Sequence, residues 1–270
     1  MKKIVRIGLT STVLLGVIFP AHAALITFNE LTHGTVVDDQ YLASQGLTIS
    51  AENTGGGPDI AIIFDSSTAN SIDPDLVGPS ASTWSGGNLA PGTNLGNLLI
   101  IAENDIDRNE DGLIDNPDDE GNRPAGNLFF EFNSPITEFG FDLVDVELAE
   151  TGKDRGYVTT FYLGSDQLAS VKFSDYIDPL SEYYDPTVAF GNNTANHLAP
   201  IKAANLGLLS FDKVAVNFGG SAGIDNIYWD RPGTNVEVSE PATPWMVTVG
   251  LGLLLSVFYL YRGRREDEDN

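Results

Sequence analysis

No cysteine occurs among the 270 residues of this chain. Disulfide bonds, thiolate metal sites and a cysteine nucleophile are therefore excluded. Histidine is almost as scarce: His22, His33 and His197 lack the spacing of paired metal ligands, and surface or turn positions are expected for the last two. The sequence also contains no H-E-x-x-H motif, Walker loop or Rossmann glycine pattern. The common thiol, zinc and nucleotide chemistries thus have no support in the sequence.

Basic residues are few as well, with 14 Lys and Arg against 38 Asp and Glu, a net charge of −24. Three of the basic residues precede residue 24, and three basic and four acidic residues follow residue 261. Residues 24–261 are left with 8 basic and 34 acidic residues, a net charge of −26. A field of this sign repels nucleic acid and attracts divalent cations. We therefore expect no nucleic-acid partner.

The N-terminus has the three parts of a secretory signal peptide. Lys2, Lys3 and Arg6 precede a largely apolar run over residues 7–19, and Ala21-His22-Ala23 fits the rule of small residues at a cleavage site. We predict a signal peptide over residues 1–23, and hence export across the inner membrane.

A second apolar run, residues 245–261, is about 17 residues long, the lower limit for a helix that crosses a bilayer. Apart from tyrosines, its polar residues are Thr248 and Ser256, which can bond to the helix backbone. The run has no polar face, which argues against the alternative of an amphipathic core helix. The arginines that follow predict a cytoplasmic tail over residues 262–270.

The linker before this run, residues 232–244, contains Ser239-Glu240-Pro241, and the run is followed by Arg262, Arg264 and Arg265. A short box, a membrane helix and an arginine cluster in this order resemble the PEP-CTERM sorting signal, although Ser239 replaces the first proline of the box. The resemblance implies recognition and removal of the segment by an exosortase-type protease of the inner membrane. It also implies a final location at the cell surface or in an exopolysaccharide matrix.

The exported part, residues 24–231, consists of short apolar alternations separated by Gly, Asn, Asp, Pro and Ser. Residues 128–132 and 214–218 place alternate apolar side chains on one face, as strands do. Strands are likewise predicted at residues 60–64, 98–102 and 187–190, and a weak helical period occurs at residues 195–204. This pattern predicts an all-β fold, a jelly-roll-like β-sandwich. Strings such as Ile26-Thr27-Phe28-Asn29-Glu30 and Gly223-Ile224-Asp225-Asn226-Ile227 are similar to β-sandwich domains that precede PEP-CTERM signals.

Two long polar stretches, residues 65–96 and 103–126, interrupt the strands, and loops of this length are usually functional or mobile. Trp84 lies in the first of them. It either stacks on a sugar ring or anchors the loop to the core, and anchoring is favoured.

The second stretch contains a twelve-residue pattern typical of calcium loops. Carboxylates alternate along it, a glycine stands where the chain must turn, and a carbonyl is available at the seventh position. The candidate ligands are Asp107, Asn109, Asp111, Leu113 (through its carbonyl), Asp115 and Asp118. Ile114, at the eighth position, is expected to attach the loop to the body. Because strands rather than helices flank it, we expect a structural Ca²⁺ that orders a long hairpin connection, the alternative being a solvated acidic turn.

A weaker calcium site is expected between Glu30, after the first strand, and Asp225, in the last strand, where jelly-roll sugar-binding modules often hold the ion. For catalysis, Gly219-Gly220-Ser221-Ala222-Gly223 matches G-x-S-x-G, but a predicted strand follows it where the nucleophile elbow requires a helix. No catalytic or cofactor-binding residue is therefore assigned. Paired carboxylates for glycoside hydrolysis stay open.

The leading hypothesis is a non-enzymatic exported β-sandwich protein of the cell surface or exopolysaccharide matrix, which binds structural calcium and contacts glycans. A polysaccharide-active enzyme on a jelly-roll scaffold and a purely structural matrix protein are the alternatives.

Overall fold

The computed structural model describes residues 23–68, 73–78, 84, 86–90, 92–146 and 156–232, and all of them belong to one compact unit. Within these ranges no helix has both the length and the apolar character needed to cross a membrane. The predicted signal peptide, apart from Ala23, lies outside the described residues. So do Ser239, Glu240 and Pro241, the segment 245–261, and the cluster of Arg262, Arg264 and Arg265. These predictions therefore stay predictions.

The described residues form two sheets in which every strand pairing is antiparallel. The seven-stranded sheet has the order β10 (Gly191–Lys202), β7 (Glu138–Val146), β12 (Gly223–Asp230), β5 (Asn97–Ile101), β4 (Ala61–Asp65) and β2 (Val36–Val37), and β1 (Ala24–Ile26) pairs with β12. The five-stranded sheet has the order β3 (Leu47–Asn53), β6 (Gly126–Ile136), β11 (Phe211–Phe218), β8 (Val158–Leu163) and β9 (Asp166–Lys172). The all-β sandwich predicted from the sequence is confirmed.

Helix is confined to short segments of the described chain: α1 (Leu42–Gln45), α2 (Phe173–Ile177) and a 3-10 helix, Ala203–Leu206. The weak helical period at residues 195–204 was misleading, because most of that segment is β10, in which Ala195 and Leu198 are buried against the sheet. The strand predicted at residues 187–190 is also wrong, since these residues form the irregular approach to β10.

The main core lies between the two sheets and is rich in aromatic side chains. In β6, Leu128, Phe130 and Phe132 are buried on one face, as their alternation predicted. The Phe130 and Phe139 rings, one from each sheet, lie 5.2 Å apart. Aromatic pairs at such distances add to the free energy gained by burying their area.

A second core covers the outward face of the seven-stranded sheet. Ile62, Phe64, Leu98 and Ile100 contribute to it from β4 and β5, which are therefore apolar on both faces and appear in the sequence as continuous apolar runs. Loop residues cover them, among them Leu76, Trp84, Leu95 and Ile114. Trp84 is only 8% exposed, so it anchors its loop, as was favoured.

The acidic connection between β5 and β6 is not a hairpin, contrary to the prediction. β5 belongs to the seven-stranded sheet and β6 to the five-stranded sheet, so residues 102–125 cross from one sheet to the other. The sequence pattern showed a loop between two strands, but it carried no information about which sheet each strand joins.

Candidate metal centre

The first half of the predicted calcium loop is folded by hydrogen bonds to its own Asp and Asn side chains. Asp107 Oδ2 accepts a hydrogen bond from the Gly112 amide at 2.9 Å, and Asn109 Oδ1 accepts one from the Asp111 amide at 3.0 Å. Asp111 Oδ1 accepts one from the Leu113 amide at 2.9 Å. Gly112 has a φ of +85°, the left-handed backbone that this turn requires. The turn predicted at Gly112 is therefore present.

The second half of the loop is attached to the body. The Ile114 amide donates to the Gly34 carbonyl at 2.9 Å, and the Ile114 side chain is 9% exposed within the second core. Asp115 Oδ2 accepts from the Arg108 amide at 2.8 Å, and the Asp115 amide donates to the Ile106 carbonyl at 2.7 Å. The expected attachment through Ile114 is thus seen.

Asp118, at the twelfth position of the loop, lies in a different group of acids. One carboxylate oxygen from each of Asp73, Asp118 and Asp119 lies within 4.8 Å of the others, close enough to share an ion. In the described part of the chain no other three Asp, Glu, His or Cys residues approach one another this closely. The structure therefore does not bring Asp107, Asp111 and Asp115 together around one centre with Asp118.

The acidic triad, as we call Asp73, Asp118 and Asp119, joins segments that are distant in the sequence. Asp119 pairs with Ala102 in an isolated bridge at the end of β5. Its Oδ2 accepts hydrogen bonds from the Ser221 hydroxyl at 2.7 Å and from the Ala222 amide at 2.6 Å. The triad thereby connects the 73–78 loop, the acidic connection and the link between β11 and β12.

The environment of the triad disfavours ionisation of all three acids. Burial raises the pKa of Asp118 to about 7, and its hydrogen bond with Glu103 and the charge of Asp73 act in the same direction. Burial also raises the pKa of Asp119 well above its ordinary value, and the charge of Asp73 adds to this effect. The pKa of Asp73 is raised, mainly by burial. A bound divalent cation would supply the missing positive charge and hold all three groups ionised.

The second predicted site is assembled by the pairing of the first and last strands. β1 runs antiparallel to β12, which brings Glu30 and Asp225 into one neighbourhood. Glu30 Oε1 accepts a hydrogen bond from the Tyr41 hydroxyl at 2.6 Å. Asp225 is 1% exposed, and its Oδ1 has no hydrogen-bond partner among the described residues.

Burial raises the pKa of Asp225 to about 8, against the opposing effect of the Asn226 amide. The negative charges of Asp142 and Glu30 raise this pKa further. A buried carboxylate oxygen without a donor is costly when it is charged, so this position favours either a proton or a cation.

Sequence reasoning missed Asp142 and its partner His197. Asp142 lies opposite Asp225 in the register of β7 and β12, and opposite His197 in the register of β7 and β10. Asp142 Oδ1 is 2.6 Å from His197 Nδ1, and Asp142 Oδ2 accepts from the Asn226 side-chain amide at 2.7 Å. His197 is thus a strand residue with a 60% exposed side chain. The one signal in the sequence was the presence of two aspartates, Asp142 and Asp145, in the largely apolar run of β7.

His33 accepts a hydrogen bond from the Asp65 amide through Nδ1 at 2.9 Å, and burial lowers its pKa. Asp73 was also missed, and its neighbours in the sequence gave no signal, because its partners in the triad come from a different loop.

Ser221 of the G-x-S-x-G string lies among acids. Its hydroxyl is 2.7 Å from Asp119 Oδ2 and 3.0 Å from Asp145 Oδ2, and the next residues form β12 rather than a helix. This is the strand expected from the sequence, so the string does not form a nucleophile elbow. The Ser221 hydroxyl therefore connects the β11–β12 link to the acidic connection through Asp119 and to β7 through Asp145.

Comparison with known proteins gives little further information. No family model matches the chain, and no curated protein matches it. Among solved structures, the chain is similar to the K2 cleaved adhesin domain of Lys-gingipain, with a TM-score of 0.30 and 15% sequence identity over 77% of this chain and 99% of that one. A likeness of this size assigns no function, so the function has to be inferred from the chemistry of the chain's own residues.

Proposed function

We propose that this protein is an exported, jelly-roll-like β-sandwich protein of the cell surface or exopolysaccharide matrix, that structural Ca²⁺ holds its loops, and that it contacts glycans of that matrix. The export part is supported by the signal-peptide pattern of residues 1–23 and by the PEP-CTERM-like order of Ser239-Glu240-Pro241, the apolar run and the arginines. An exosortase-type protease and, transiently, the inner membrane are the partners that this proposal requires.

The acidic triad carries the calcium part of the proposal. Three carboxylate oxygens lie within 4.8 Å of one another in a buried setting, where their mutual repulsion is otherwise relieved by protons. Calcium accepts six to eight oxygen ligands at about 2.3–2.6 Å, so backbone carbonyls or waters would complete the shell. The net charge of −26 over residues 24–261 raises the local concentration of divalent cations around such a site.

The predicted loop offers a competing position for the same ion. A twelve-residue calcium loop closes with its twelfth residue, which here is Asp118. Asp118 cannot close the loop around Asp107 and Asp111 while it remains beside Asp73 and Asp119. Asp118 can serve the triad or the loop but not both, and single substitutions can separate these two positions. A calcium-induced rise in melting temperature that survives Asp118→Asn would instead favour the site at Glu30 and Asp225.

The test is the melting temperature of the full-length protein in detergent, with calcium and with a chelator. We expect calcium to raise it and Asp118→Asn to remove that rise under either alternative. If the ion binds at the triad, Asp73→Asn also removes the rise and Asp111→Asn does not; the loop alternative gives the reverse. Asp166→Asn, at an exposed position in β9, is the matched control. A melting temperature that calcium leaves unchanged in the wild-type chain would rule out both positions.

Export and processing need a separate measurement. The protein recovered from the surface or matrix of the producing cells should begin at Ala24 and lack residues 245–261 when its mass is determined. A mature protein that retains residues 245–261 would leave a permanent membrane anchor in place of exosortase processing.

A further inference from the structure

A cleft of about 440 Å³ lies where β1, α1 and the end of β12 meet. Its lining includes residues from these three elements: Ala24, Leu25, Ser44, Gln45, Trp229 and Arg231, which directly follows β12. We call it the Arg231 cleft. Its volume falls within the range of about 300–1,000 Å³ that is usual for small-molecule sites. The acidic triad contacts the chain just before the other end of β12, at Ser221 and Ala222, so the cleft is separate from the triad.

Arg231 supplies the charge of this cleft, and its guanidinium is incompletely bonded. Nη2 donates to the Gln45 carbonyl at 2.6 Å, whereas Nε is buried without a hydrogen-bond partner. Among the described residues Arg231 forms no ion pair, although Lys202 and Lys213 each pair with a glutamate. Since residues 24–261 hold 34 acidic residues and 8 basic ones, a half-buried arginine without an acidic partner is unexpected. The structure therefore leaves this positive charge for an acidic group from outside the chain.

The surroundings of the cleft favour an acidic group with a single charge. The planar fork of a guanidinium matches both carboxylate and phosphate oxygens. A stretch of chain with a net charge of −26 repels a dianion more strongly than a monoanion, which favours the carboxylate. Because distant charges are screened over about 8 Å at physiological salt, one carboxylate beside Arg231 escapes most of this repulsion. A dense polyanion, by contrast, extends over the acidic surface.

The rest of the lining offers hydrogen bonds and an apolar surface to the remainder of the ligand. The Ser44 hydroxyl and the Gln45 side-chain amide can both donate and accept hydrogen bonds. Leu25 is 57% exposed and provides apolar surface beside them. A sugar ring carries hydroxyls around its edge and C–H groups on its faces, so it can use both kinds of lining. A carboxylate attached to such a ring matches the cleft as a whole.

A carboxylate at the end of a peptide is a poorer fit. Proteins capture such a terminus through free backbone amides. The amides at the end of α1 are already used, since those of Gln45 and Gly46 donate to carbonyls of the preceding turn at 2.8 and 3.0 Å. We infer that the Arg231 cleft binds a uronic-acid unit of a glycan. This inference rests on the proposed function, because it names the class of glycan that the exported protein contacts.

Removal of the signal peptide strengthens the site. Ala23 and Ala24, on the two sides of the predicted cleavage point, both line the Arg231 cleft. Loss of residues 1–23 takes Ala23 out of the lining and gives Ala24 a free α-amino group, which is mostly protonated at neutral pH. A second positive charge then lies in the cleft. The exported form is therefore expected to bind a uronate more tightly than the uncleaved chain.

The test is a titration of the exported protein with D-glucuronate, D-glucose or acetate, followed by saturation-transfer NMR of the ligand. D-glucuronate should bind at least about tenfold more tightly than the other two, since glucose lacks the carboxylate and acetate the ring. Arg231→Gln should weaken glucuronate binding about tenfold or more, as expected for loss of a charge-assisted hydrogen bond. Arg231→Lys, which keeps the charge without the planar fork, should recover part of the binding. Arg108→Gln, at an exposed position in the acidic connection, is the matched control and should bind as the wild type does.

A second variant keeps the inference testable if Arg231→Gln lowers the melting temperature. Ser44→Tyr, at an exposed position of α1, fills the cleft while Arg231 stays in place, and it should weaken glucuronate binding to a similar extent. Binding that survives both variants overturns the cleft and leaves sugar acids bound elsewhere on the protein.

The remaining outcomes separate the cleft from the broader proposal. Acetate binding as tightly as glucuronate would assign the cleft to simple anions, and tighter binding of trialanine would assign it to a chain terminus; either result overturns the inference. No glucuronate binding by the wild type overturns it as well. The glycan part of the proposed function is tested separately, by retardation of the wild-type protein in native gels that contain the exopolysaccharide of the producing cells. Retardation without glucuronate binding would overturn the cleft alone.

Discussion

The two sheets of the sandwich are alike on the side where they meet and different on their outward faces. The outward face of the seven-stranded sheet is apolar, and loops with Leu76, Trp84 and Ile114 cover it. The outward face of the five-stranded sheet is mostly polar and balanced in charge, and no comparable cluster of buried apolar residues covers it within the described ranges. The acidic triad belongs to the covered side, because it joins the 73–78 loop to the acidic connection. The comparison indicates that buried ionisable groups gather on the sheet that loops cover, both in those loops and on β7 and β12, whereas the outward face of the other sheet stays more accessible.

The largest expected effect concerns the covered face. Phe64 is fully buried in the second core, so Phe64→Ala should lower the free energy of unfolding by about 3–5 kcal/mol. Tyr162→Ala, on the open face, should lower it by no more than about 1 kcal/mol. Urea unfolding of the two full-length variants measures the difference. Equal losses would mean that the two outward faces contribute equally to the free energy of unfolding.

A glycine substitution tests how firmly the covering loop is held. Gly34 has a φ of +84°, and a Cβ added there would lie 2.4 Å from the Ile114 carbonyl oxygen. Gly34→Ala should therefore cost about 1–3 kcal/mol of unfolding free energy through backbone strain and a displaced Ile114. Gly121→Ala, where a Cβ meets no atom within 4 Å, is the control, and it lies in the acidic connection that also contains Ile114. A loss no greater than that of Gly121→Ala would show that the loop moves freely from the body.

The pH dependence of stability should be set mainly by the buried carboxyls on the covered side of the seven-stranded sheet. The pKa values of Asp118 and Asp225 are about 7 and about 8, above the ordinary 3.8, so the folded protein keeps protons that the unfolded chain has already released. Without calcium, the contribution of these two carboxyls to the free energy of unfolding is therefore greatest below about pH 4 and is lost as the pH rises to about 8. The melting temperature should fall by roughly 4 °C or more over this range. Calorimetry in metal-free buffers measures this loss.

The double variant Asp118→Asn with Asp225→Asn is the control for this pH dependence. It should retain a flatter profile, because only Asp73, Asp119 and the general repulsion of the acidic surface then contribute to the pH dependence. Calcium should oppose the loss in the wild-type chain, since it stabilises the ionised carboxylates. A melting temperature that rises with pH in the calcium-free wild type would contradict the assignment of raised pKa values.

The smallest effect is expected on the open face. Lys213 and Glu131 form an ion pair with side-chain exposures of 28% and 53%, so a double-mutant cycle of Lys213→Ala and Glu131→Ala should give a coupling below about 1 kcal/mol. The coupling should shrink further in high salt. A coupling of several kcal/mol, resistant to salt, would mean that this face is less open to solvent than we describe.

Much of the fold was predictable from residue patterns. The alternation in β6 and β11 identified their buried faces correctly, because the strand period of two is a local property. The strand β10 was harder to predict, because it contains Pro200 and its pairing with β7 is interrupted by two register shifts. The predicted hairpin between β5 and β6 was wrong for a related reason: membership of a sheet depends on partners that are distant in the chain.

In the candidate sites too, features set by neighbouring residues could be predicted and features set by distant residues could not. The turn at Gly112 and the attachment of Ile114 could be predicted, because they are set within twelve residues of sequence. The neighbourhood of Glu30 and Asp225 was also predicted, because Glu30 follows the first strand and Asp225 lies in the last one. The position of Asp118 beside Asp73 and Asp119 could not be predicted, since two loops with no shared pattern form that group.

By itself, the sequence determined the strand-rich architecture, the strongly acidic net charge and the acidic side chains that are candidate calcium ligands. The tertiary structure alone decided which face of each sheet is covered, which carboxylates converge, and that Asp142 and His197 accompany Asp225. The physical reason is one of range. Alternation, turns and net charge arise from neighbouring residues or from simple sums, whereas burial and convergence arise when segments far apart in the chain exclude water from one another.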